Sequence, residues 1–202
     1  MQLPKLHYIS QGQTPKEHLE NIQNACAHGA ELVQLRLKGL DPKKVLKAAE
    51  EAREITSHFQ TRLIINDHYK IAKEVKADGV HLGNNDISPI VAKKHLGEYY
   101  FVGGTANTLQ DCEALIAKKI DYIGLGPFRF TKTKENLSPV LGQKGYLTII
   151  RRKQCILYKK VSSLYIYSLS IQHYGPFFRL NAFNSNSTYS CDFFGLSEVD
   201  YL

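Results

Sequence analysis

The stretch 63–86 constrains the fold most, because two short apolar segments lie on either side of one helix-forming segment. The first segment, 63–65, is rich in β-branched residues and too short for a helix, which predicts a buried strand. A helix of about ten residues follows, and the second apolar segment, 80–82, predicts another strand. Because β-α-β crossovers are right-handed, the two strands should be parallel. Asp67 and Asp86, which follow them, should therefore lie at the same edge of the sheet.

Two carboxylates at neighbouring strand ends are able to share a hard divalent cation. Each residue alone also has a plainer interpretation. Asp67, with Asn66 before it, could cap the following helix, and Asp86 could fix the turn before Ser88. Their joint position favours a metal site, because active sites of β/α barrels lie at the carboxyl ends of the strands.

The same alternation of short strands and helices occurs six times between residues 6 and 145. A capping residue followed by proline predicts helix starts at Thr14, Asp41 and Ser88. Thr108 could cap a further helix. Connections of only a few residues between these elements are typical of a parallel α/β sheet. The sequence therefore predicts a barrel of the (β/α)8 type, of which about six β-α units are present.

Polar and apolar residues alternate along the predicted strand 32–39, with Gln34, Arg36 and Lys38 as the polar set. Such alternation normally indicates a strand with one solvated face. In a barrel, the same three side chains would instead point inward near the mouth. The pattern alone leaves both interpretations open.

The net charge of +7 suits anionic partners, and both small phosphorylated substrates and nucleic acid qualify. The basic residues are dispersed without an aromatic-plus-basic motif, so nucleic acid is the least favoured partner. Four cysteines without CxxC spacing argue against a zinc site and are interpreted as reduced thiols. We found no signal-peptide core and no segment of membrane length, and we expect a cytoplasmic protein without a membrane partner.

The composition changes after residue 145, which suggests a domain at 1–145 and a divergent tail at 146–202. Twelve of the 14 glycines lie in the first part, and the stretch 184–190 is a polar run of low complexity. The tail offers one candidate strand, within 162–171, and two further β-α units are not recognisable. A divergent tail and a shifted reading frame both explain the change. Six strands alone would leave two unpaired sheet edges.

Five motifs occur in order along 6–145. They are Gln34-Leu-Arg36-Leu-Lys38, Ile65-Asn66-Asp67, the run from Ala77 to Gly83 with Asp86, Gly103-Gly104-Thr105, and Gly124-Leu-Gly126-Pro127 followed by Thr131 to Lys134. Together they resemble the thiamine phosphate synthase family of (β/α)8 barrels, also called thiamine-phosphate pyrophosphorylases. The resemblance implies condensation of 4-amino-2-methyl-5-(diphosphooxymethyl)pyrimidine with thiazole phosphate, dependent on Mg2+, with release of diphosphate.

The resemblance also assigns roles to particular residues. It implies pyrimidine-diphosphate contacts from Gln34, Arg36, Lys38 and Asn66, magnesium ligands at Asp67 and Asp86, a diphosphate contact from Thr105, thiazole-phosphate contacts from Thr131 and Thr133, and a contact of Lys134 with the leaving diphosphate. Among these, Lys134, Arg36 and Thr105 are the candidate catalytic residues. Asn107 stands where the family commonly has histidine. The family's second phosphate cradle, after its seventh and eighth strands, has no match here.

The chemistry fits these residue types. Loss of diphosphate builds negative charge on the leaving oxygens, which Mg2+ and fixed cations stabilise most in the transition state. No Ser-His-Asp or Cys-His arrangement is recognisable, and none is needed. His7, His68 and His81 are not spaced as a metal triad and are interpreted as structural or surface residues. Two other functions remain open, a related thiazole tautomerase without the metal machinery and an inactive remnant, and so does the oligomeric state.

Overall fold

The structure, a computed structural model, describes residues 3–127, 140–142, 145–146, 148–149, 157–161 and 164–168. Thr131, Thr133 and Lys134 of the sequence prediction lie outside these ranges. Within the described part of the chain, no helix is long and apolar enough to cross a membrane.

Strands and helices alternate as the sequence predicts. The strands are β1 (Leu6–Ile9), β2 (Leu32–Leu35), β3 (Arg62–Asn66), β4 (Gly79–Leu82), β5 (Phe101–Ala106), β6 (Tyr122–Leu125), β7 (Leu157–Val161) and β8 (Leu164–Ser168). The helices are α1 (Pro15–Ala27), α2 (Pro42–His58), α3 (Tyr69–Glu74), α4 (Pro89–Leu96) and α5 (Leu109–Ala117). The second strand ends at Leu35 and not at residue 39, so Arg36 and Lys38 follow the strand.

The eight strands form a closed ring in the order of the chain. Neighbouring strands from β1 to β7 are parallel, whereas β8 runs antiparallel to both β7 and β1. The α/β barrel prediction is confirmed, but the expectation of two unpaired edges is wrong. The tail supplies two strands separated by only two residues, and these satisfy the backbone groups that six strands would leave open. The division into a domain at 1–145 and a divergent tail at 146–202 rests on composition alone and stays a prediction.

Side chains alternate between the inside of the ring and the layer of helices around it. In β2, for example, Val33 and Leu35 pack with the outer helices, while Leu32 belongs to a separate inner cluster. That inner cluster consists of Leu3, Ile9, Leu32, Ile64, Phe101 and Tyr122. The inward positions that follow toward the carboxyl ends of β2 and β3 are polar, namely Gln34 and Asn66. The inward positions of β2 and β3 are therefore apolar toward the amino end and polar toward the carboxyl end.

The helix starts follow from capping chemistry at most positions. The side chains of Thr14 and Asp41 accept backbone hydrogen bonds at the starts of α1 and α2, and Thr108 forms a reciprocal capping box with Asp111 at α5. The capping interpretation of Asn66 and Asp67 is wrong, because α3 begins after His68 without any side-chain cap. These two residues are therefore available for other contacts.

Candidate active site at the carboxyl ends of the strands

A pair of buried amides lies inside the ring where β2 and β3 end. The Gln34 side chain donates from Nε2 to Asn66 Oδ1 over 2.6 Å, and the two residues are only 1% and 4% exposed. The other amide atoms, Gln34 Oε1 and Asn66 Nδ2, have no hydrogen-bond partner among the residues the structure describes. Buried polar atoms of this kind cost about 1–3 kcal/mol each unless a partner satisfies them. One free acceptor beside one free donor is a recognition element for a ligand that carries the complementary pair.

The carboxylates of Asp67 and Asp86 lie within hydrogen-bonding distance of each other. The backbone of Asp67 is left-handed, with φ of 64°, and its N–H donates to the carbonyl of His81 at 2.8 Å. This conformation is uncommon for a residue other than glycine. Lys38 Nζ donates to Asp67 Oδ2 and forms an ion pair with it.

The pKa of Asp67 is raised, first by burial and then by the neighbouring Asp86 carboxyl, against the opposing effect of the Lys38 ammonium. A carboxyl group whose pKa is raised by burial and by a neighbouring acid is a common feature of functional sites. The charge of Lys38 compensates only in part, because its side chain is 52% exposed and therefore well solvated.

Asp86 is held by the loop that follows β4. Its Oδ2 accepts the backbone N–H of Gly83 at 2.6 Å. A Cβ at position 83 would lie 2.9 Å from the same oxygen, so only glycine permits this close approach. The turn-fixing interpretation of Asp86 is therefore correct as far as it goes, and the contact with Asp67 comes in addition to it.

The donor set suits a hard divalent cation, since two adjacent carboxylates supply oxygen ligands at one point. In the described ranges, no group of three or more His, Cys, Asp or Glu side chains could hold a metal ion. The site is thus a two-carboxylate site, whose remaining ligands would be water or substrate oxygens. This is the usual arrangement for Mg2+ that binds together with a phosphorylated substrate.

Arg36, half-buried just beyond β2, is tied to the first β-α loop. Its backbone N–H donates to Ser10 Oγ at 3.0 Å, and Ser10 Oγ lies 2.7 Å from His18 Nδ1. His18 Nε2 lies 3.1 Å from the carbonyl oxygen of Gly12. Because a carbonyl only accepts, Nε2 carries the proton there, and Nδ1 of the neutral ring accepts from Ser10. Burial, and then the charge of Arg36, lower the pKa of His18, which favours this neutral form.

Thr105 and Asn107 lie at the end of β5. The Thr105 hydroxyl oxygen is 3.0 Å from His81 Nε2 on the neighbouring strand. Asn107 donates from Nδ2 to the carbonyl of Gly126 after β6, and it accepts from Asn84 Nδ2 at 3.4 Å. Asn107 thus links the loops that follow three successive strands.

The model of the family described as thiamine monophosphate synthase matches residues 6–158 of this chain. The chain belongs to this family. The thiamine-phosphate synthase of Flavobacterium psychrophilum is 46% identical over 148 residues, which cover 73% of this chain and 72% of that protein. The thiamine-phosphate synthase of Flavobacterium johnsoniae is 43% identical over 73% of this chain and 70% of that protein.

A solved structure supports the fold of this thiamine monophosphate synthase family member. The thiamine phosphate pyrophosphorylase of Pyrococcus furiosus superposes with a TM-score of 0.65 at 24% identity, over 75% of this chain and 72% of that one. At this identity the likeness bears on the fold alone. The family resemblance inferred from the five motifs is confirmed by the family model and the two curated relatives.

The structure brings together most of the predicted site residues that it describes. Gln34 contacts Asn66, and Asp67 contacts both Lys38 and Asp86. The solvated-face interpretation of 32–39 fails for Gln34, which is buried inside the ring. Their roles toward substrate remain predictions.

The sequence analysis interpreted His81 as a structural or surface residue and did not single out Tyr122. The structure shows that His81 is buried and contacts both Thr105 and Tyr122. The available signal was register: inward positions on β4 and β6 fall beside inward positions on β5.

Proposed function

We propose that this protein is a transferase that condenses 4-amino-2-methyl-5-(diphosphooxymethyl)pyrimidine with thiazole phosphate, giving thiamine phosphate and diphosphate. Membership of the thiamine monophosphate synthase family and the names of the curated relatives support the reaction class. The substrates are small phosphorylated molecules, which the net charge of +7 also suits. Four cysteines without a paired spacing, of which Cys26 and Cys112 are buried, are consistent with a cytoplasmic location.

The observation that carries the proposal is the unsatisfied amide pair at the ends of β2 and β3. Gln34 Oε1 offers an acceptor and Asn66 Nδ2 offers a donor, on two amides that contact each other and are shielded from water. An aminopyrimidine edge presents an exocyclic N–H donor beside a ring-nitrogen acceptor, which is the complementary pattern. Binding such a ring would satisfy two buried polar atoms at once, so the free energy of the unsatisfied site favours this ligand class.

The charged groups lie next to the amide pair, because Asp67 directly follows Asn66 in the chain. A pyrimidine held by the amides therefore directs its diphosphate toward Lys38, Asp67 and Asp86. In the reaction, the bond between the pyrimidine methylene carbon and the diphosphate oxygen breaks, and the electron pair leaves with diphosphate. Lys38 and Arg36 would stabilise the charge that develops on the leaving oxygens.

Asp67 and Asp86 would hold Mg2+, which when bound supplies positive charge to the diphosphate oxygens. The raised pKa of Asp67 supports this role, because a divalent cation beside Asp67 would favour the ionised form of its carboxyl group. The ion pair of Lys38 with Asp67 positions the ammonium beside the same oxygens.

The second half of the reaction needs no protein nucleophile. The lone pair of the thiazole ring nitrogen forms the new bond to the methylene carbon, and no proton has to be removed. The protein's contribution is to hold the two rings in line and to exclude water, which would otherwise capture the cationic carbon. Thr131, Thr133 and Lys134, outside the described residues, remain the proposed contacts for thiazole phosphate and the leaving diphosphate.

The test is an assay of the purified full chain with both substrates and Mg2+, in which thiamine phosphate is separated and quantified. The Gln34→Ala and Asn66→Ala variants should raise KM for the pyrimidine diphosphate more than KM for the thiazole phosphate. Gln23→Ala, which removes an exposed glutamine on α1, is the matched control. Absence of product from the folded wild-type chain, with both substrates at millimolar concentration, would reject the proposal.

A further inference from the structure

His81 lies inside the ring on β4 and is only 3% exposed. Both of its ring nitrogens face hydroxyl groups. Nδ1 is 3.2 Å from the hydroxyl oxygen of Tyr122 on β6, and Nε2 is 3.0 Å from the hydroxyl oxygen of Thr105 on β5. Three side chains from three successive strands thus form one chain of hydrogen bonds that ends at the candidate site.

Packing holds the imidazole and the phenol in this arrangement. The rings of His81 and Tyr122 stack with centroids 5.5 Å apart and planes 28° apart, and His7 approaches Tyr122 edge-on at 5.6 Å. Tyr122 occupies the space beside Gly103, where an added Cβ would lie 2.1 Å from the phenol ring. A side chain at position 103 would displace the phenol, so the glycine preserves the hydrogen bond between Tyr122 and His81.

Counting protons leaves two arrangements for a neutral imidazole, which has one donor and one acceptor. In the first, Tyr122 donates its hydroxyl proton to Nδ1, and Nε2–H of His81 donates to Thr105. In the second, Thr105 donates to Nε2, and Nδ1–H donates to Tyr122. Only the first arrangement leaves the Thr105 proton free to donate to a third group.

We propose that His81 is a positioning residue which, together with Tyr122, directs the Thr105 hydroxyl to donate to the leaving diphosphate. This inference rests on the proposed function, because it requires a diphosphate beside Thr105. No proton changes its heavy atom in the step, since each O–H and N–H bond stays intact. As negative charge develops on the diphosphate, each bond of the chain polarises the next, so the stabilisation is greatest in the transition state.

The first experiment measures the tautomer directly. In the full chain labelled with ¹⁵N-histidine, the His81 signals are assigned by comparison with His81→Gln. Mg2+ and inorganic diphosphate are then added as the probe. The expected spectrum shows protonated Nε2 and unprotonated Nδ1 at His81 in the diphosphate-bound protein. Protonated Nδ1 in that complex would overturn the proposal, whether or not the chain makes thiamine phosphate.

The second experiment uses Tyr122→Phe, which keeps the ring and removes one hydroxyl. The tautomer preference of His81 should weaken, and kcat should fall about fivefold, since one hydrogen bond contributes about 1 kcal/mol. KM for the pyrimidine diphosphate should stay within about twofold, because ground-state binding relies on other contacts. His81→Gln should lower kcat more than Tyr122→Phe does, and adding Tyr122→Phe to His81→Gln should lower kcat little further.

Tyr146→Phe is the matched control, because Tyr146 is another buried tyrosine whose hydroxyl donates within the barrel, to the carbonyl of Leu125. It should lower thermal stability about as much as Tyr122→Phe without changing the His81 tautomer or kcat. Thr105→Ser should retain most of the activity and Thr105→Val should not. Equal kcat values for Tyr122→Phe and Tyr146→Phe would show that the hydrogen bonds from Tyr122 through His81 to Thr105 support the fold and not the reaction. Failure of the wild type to make thiamine phosphate would instead reject the proposed function. The tautomer measurement would still decide whether His81 directs the Thr105 hydroxyl toward diphosphate.

Discussion

The barrel has two regions that are built differently, the parallel strands β2 to β5 and the closing pair β7 and β8. The first region ends in two buried amides that contact each other, two neighbouring carboxyl groups, and a threonine that contacts His81. The closing pair consists of the sequences Leu-Tyr-Lys-Lys-Val and Leu-Tyr-Ile-Tyr-Ser, without glycine. Both regions satisfy the backbone of the ring, and among the described side chains the first brings polar groups together at its carboxyl end.

Strand direction explains the difference. In a regular (β/α)8 barrel the carboxyl ends of all eight strands meet at one face. Here β8 is antiparallel, with Leu164 level with Tyr8 of β1 and Ile166 level with Leu6. The carboxyl end of β8 therefore lies at the opposite end of the barrel from the carboxyl end of β7. The closing pair can complete the wall of the barrel, yet it provides one strand end at the site where the family uses two.

The largest expected effect tests the parallel region. Asp67→Ala and Asp86→Ala should each lower kcat/KM with Mg2+ by roughly 10³-fold, since a bound metal supplies several kcal/mol of charge stabilisation. Magnesium titration of the steady-state rate is the measurement. Glu98→Gln, an exposed acid at the other end of the sheet, should leave the rate unchanged.

Stability should separate this role from a structural one. Because the pKa of Asp67 is raised in the folded protein, its ionisation weakens the fold as pH rises above the ordinary value of 3.8. At pH 7 without Mg2+, Asp67→Asn should therefore unfold at the same temperature as the wild type or higher. A clear loss of thermal stability would contradict the metal-site interpretation and favour a structural carboxylate.

The closing pair predicts unequal binding of the two substrates. We expect the family's second phosphate cradle to be incomplete in this chain, so the full chain should bind thiazole phosphate about 10²-fold more weakly than the pyrimidine diphosphate, as expected when two or three charge-assisted hydrogen bonds are missing. Isothermal titration with each substrate in the presence of Mg2+ measures this. Comparable dissociation constants would show that the antiparallel strand has not impaired the second half of the site.

Much of the parallel region could be predicted from the sequence, because local signals there agree with the tertiary fold. The apolar segments flanked by caps and prolines predicted six strands and five helices. The extent of β2 was overestimated, since alternation continues through Lys38 after the hydrogen-bonded pairing has stopped at Leu35.

The sequence predicted a strand within 162–171, which contains β8, but neither β7 nor the antiparallel pairing of β8 with β1, because that pairing depends on a distant partner and leaves little local signal. Position 165 pairs with His7, more than 150 residues away in the chain. His81 was missed for a related reason. Its partners Thr105 and Tyr122 lie on two other strands, and only the register of the barrel brings all three side chains together.

A smaller effect concerns the amide pair. Gln34→Leu keeps the approximate volume but removes one partner of Asn66, so KM for the pyrimidine diphosphate should rise about tenfold or more. Because the unsatisfied Gln34 Oε1 also disappears, thermal stability should change little. Kinetics with the pyrimidine diphosphate varied at saturating thiazole phosphate are the measurement. An unchanged KM would mean that the parallel region does not recognise the pyrimidine ring.

Acid should destabilise β1, the strand that joins the closing pair to the parallel region. Burial lowers the pKa of His7 on β1 from 6.5 to about 3, so the unfolded chain binds the extra proton first as pH falls. Stability is thus complete above pH 6.5 and should fall toward pH 3 by at most about 1.4 kcal/mol per pH unit. Chemical denaturation between pH 4.5 and 7 measures this slope, which His7→Gln should reduce and the exposed His28→Gln should not.

Hydrogen exchange makes this prediction specific to β1. His7 is level with Tyr165, and β1 pairs with β2 on its other side. Amides of β1 should therefore lose protection at pH 5 before those of β3 to β5. Simultaneous loss throughout the ring would show that the closing pair and the parallel strands unfold as one unit.

The smallest expected effect concerns the support of Arg36. Ser10 accepts the Arg36 backbone N–H and is itself oriented by His18, so Ser10→Ala removes the anchor of the segment that follows β2. Without this hydrogen bond, the Arg36 guanidinium should be held less firmly beside the substrate, at a cost of about 1 kcal/mol in binding. This should lower kcat/KM about fivefold, mainly through KM for the pyrimidine diphosphate. Ser57→Ala is the matched control, since Ser57 accepts from another arginine, Arg53, on the exposed face of α2. If the two alanine variants have the same kcat/KM, the contact with Ser10 serves the fold alone, and the site depends on the side chains at the strand ends without help from the first loop.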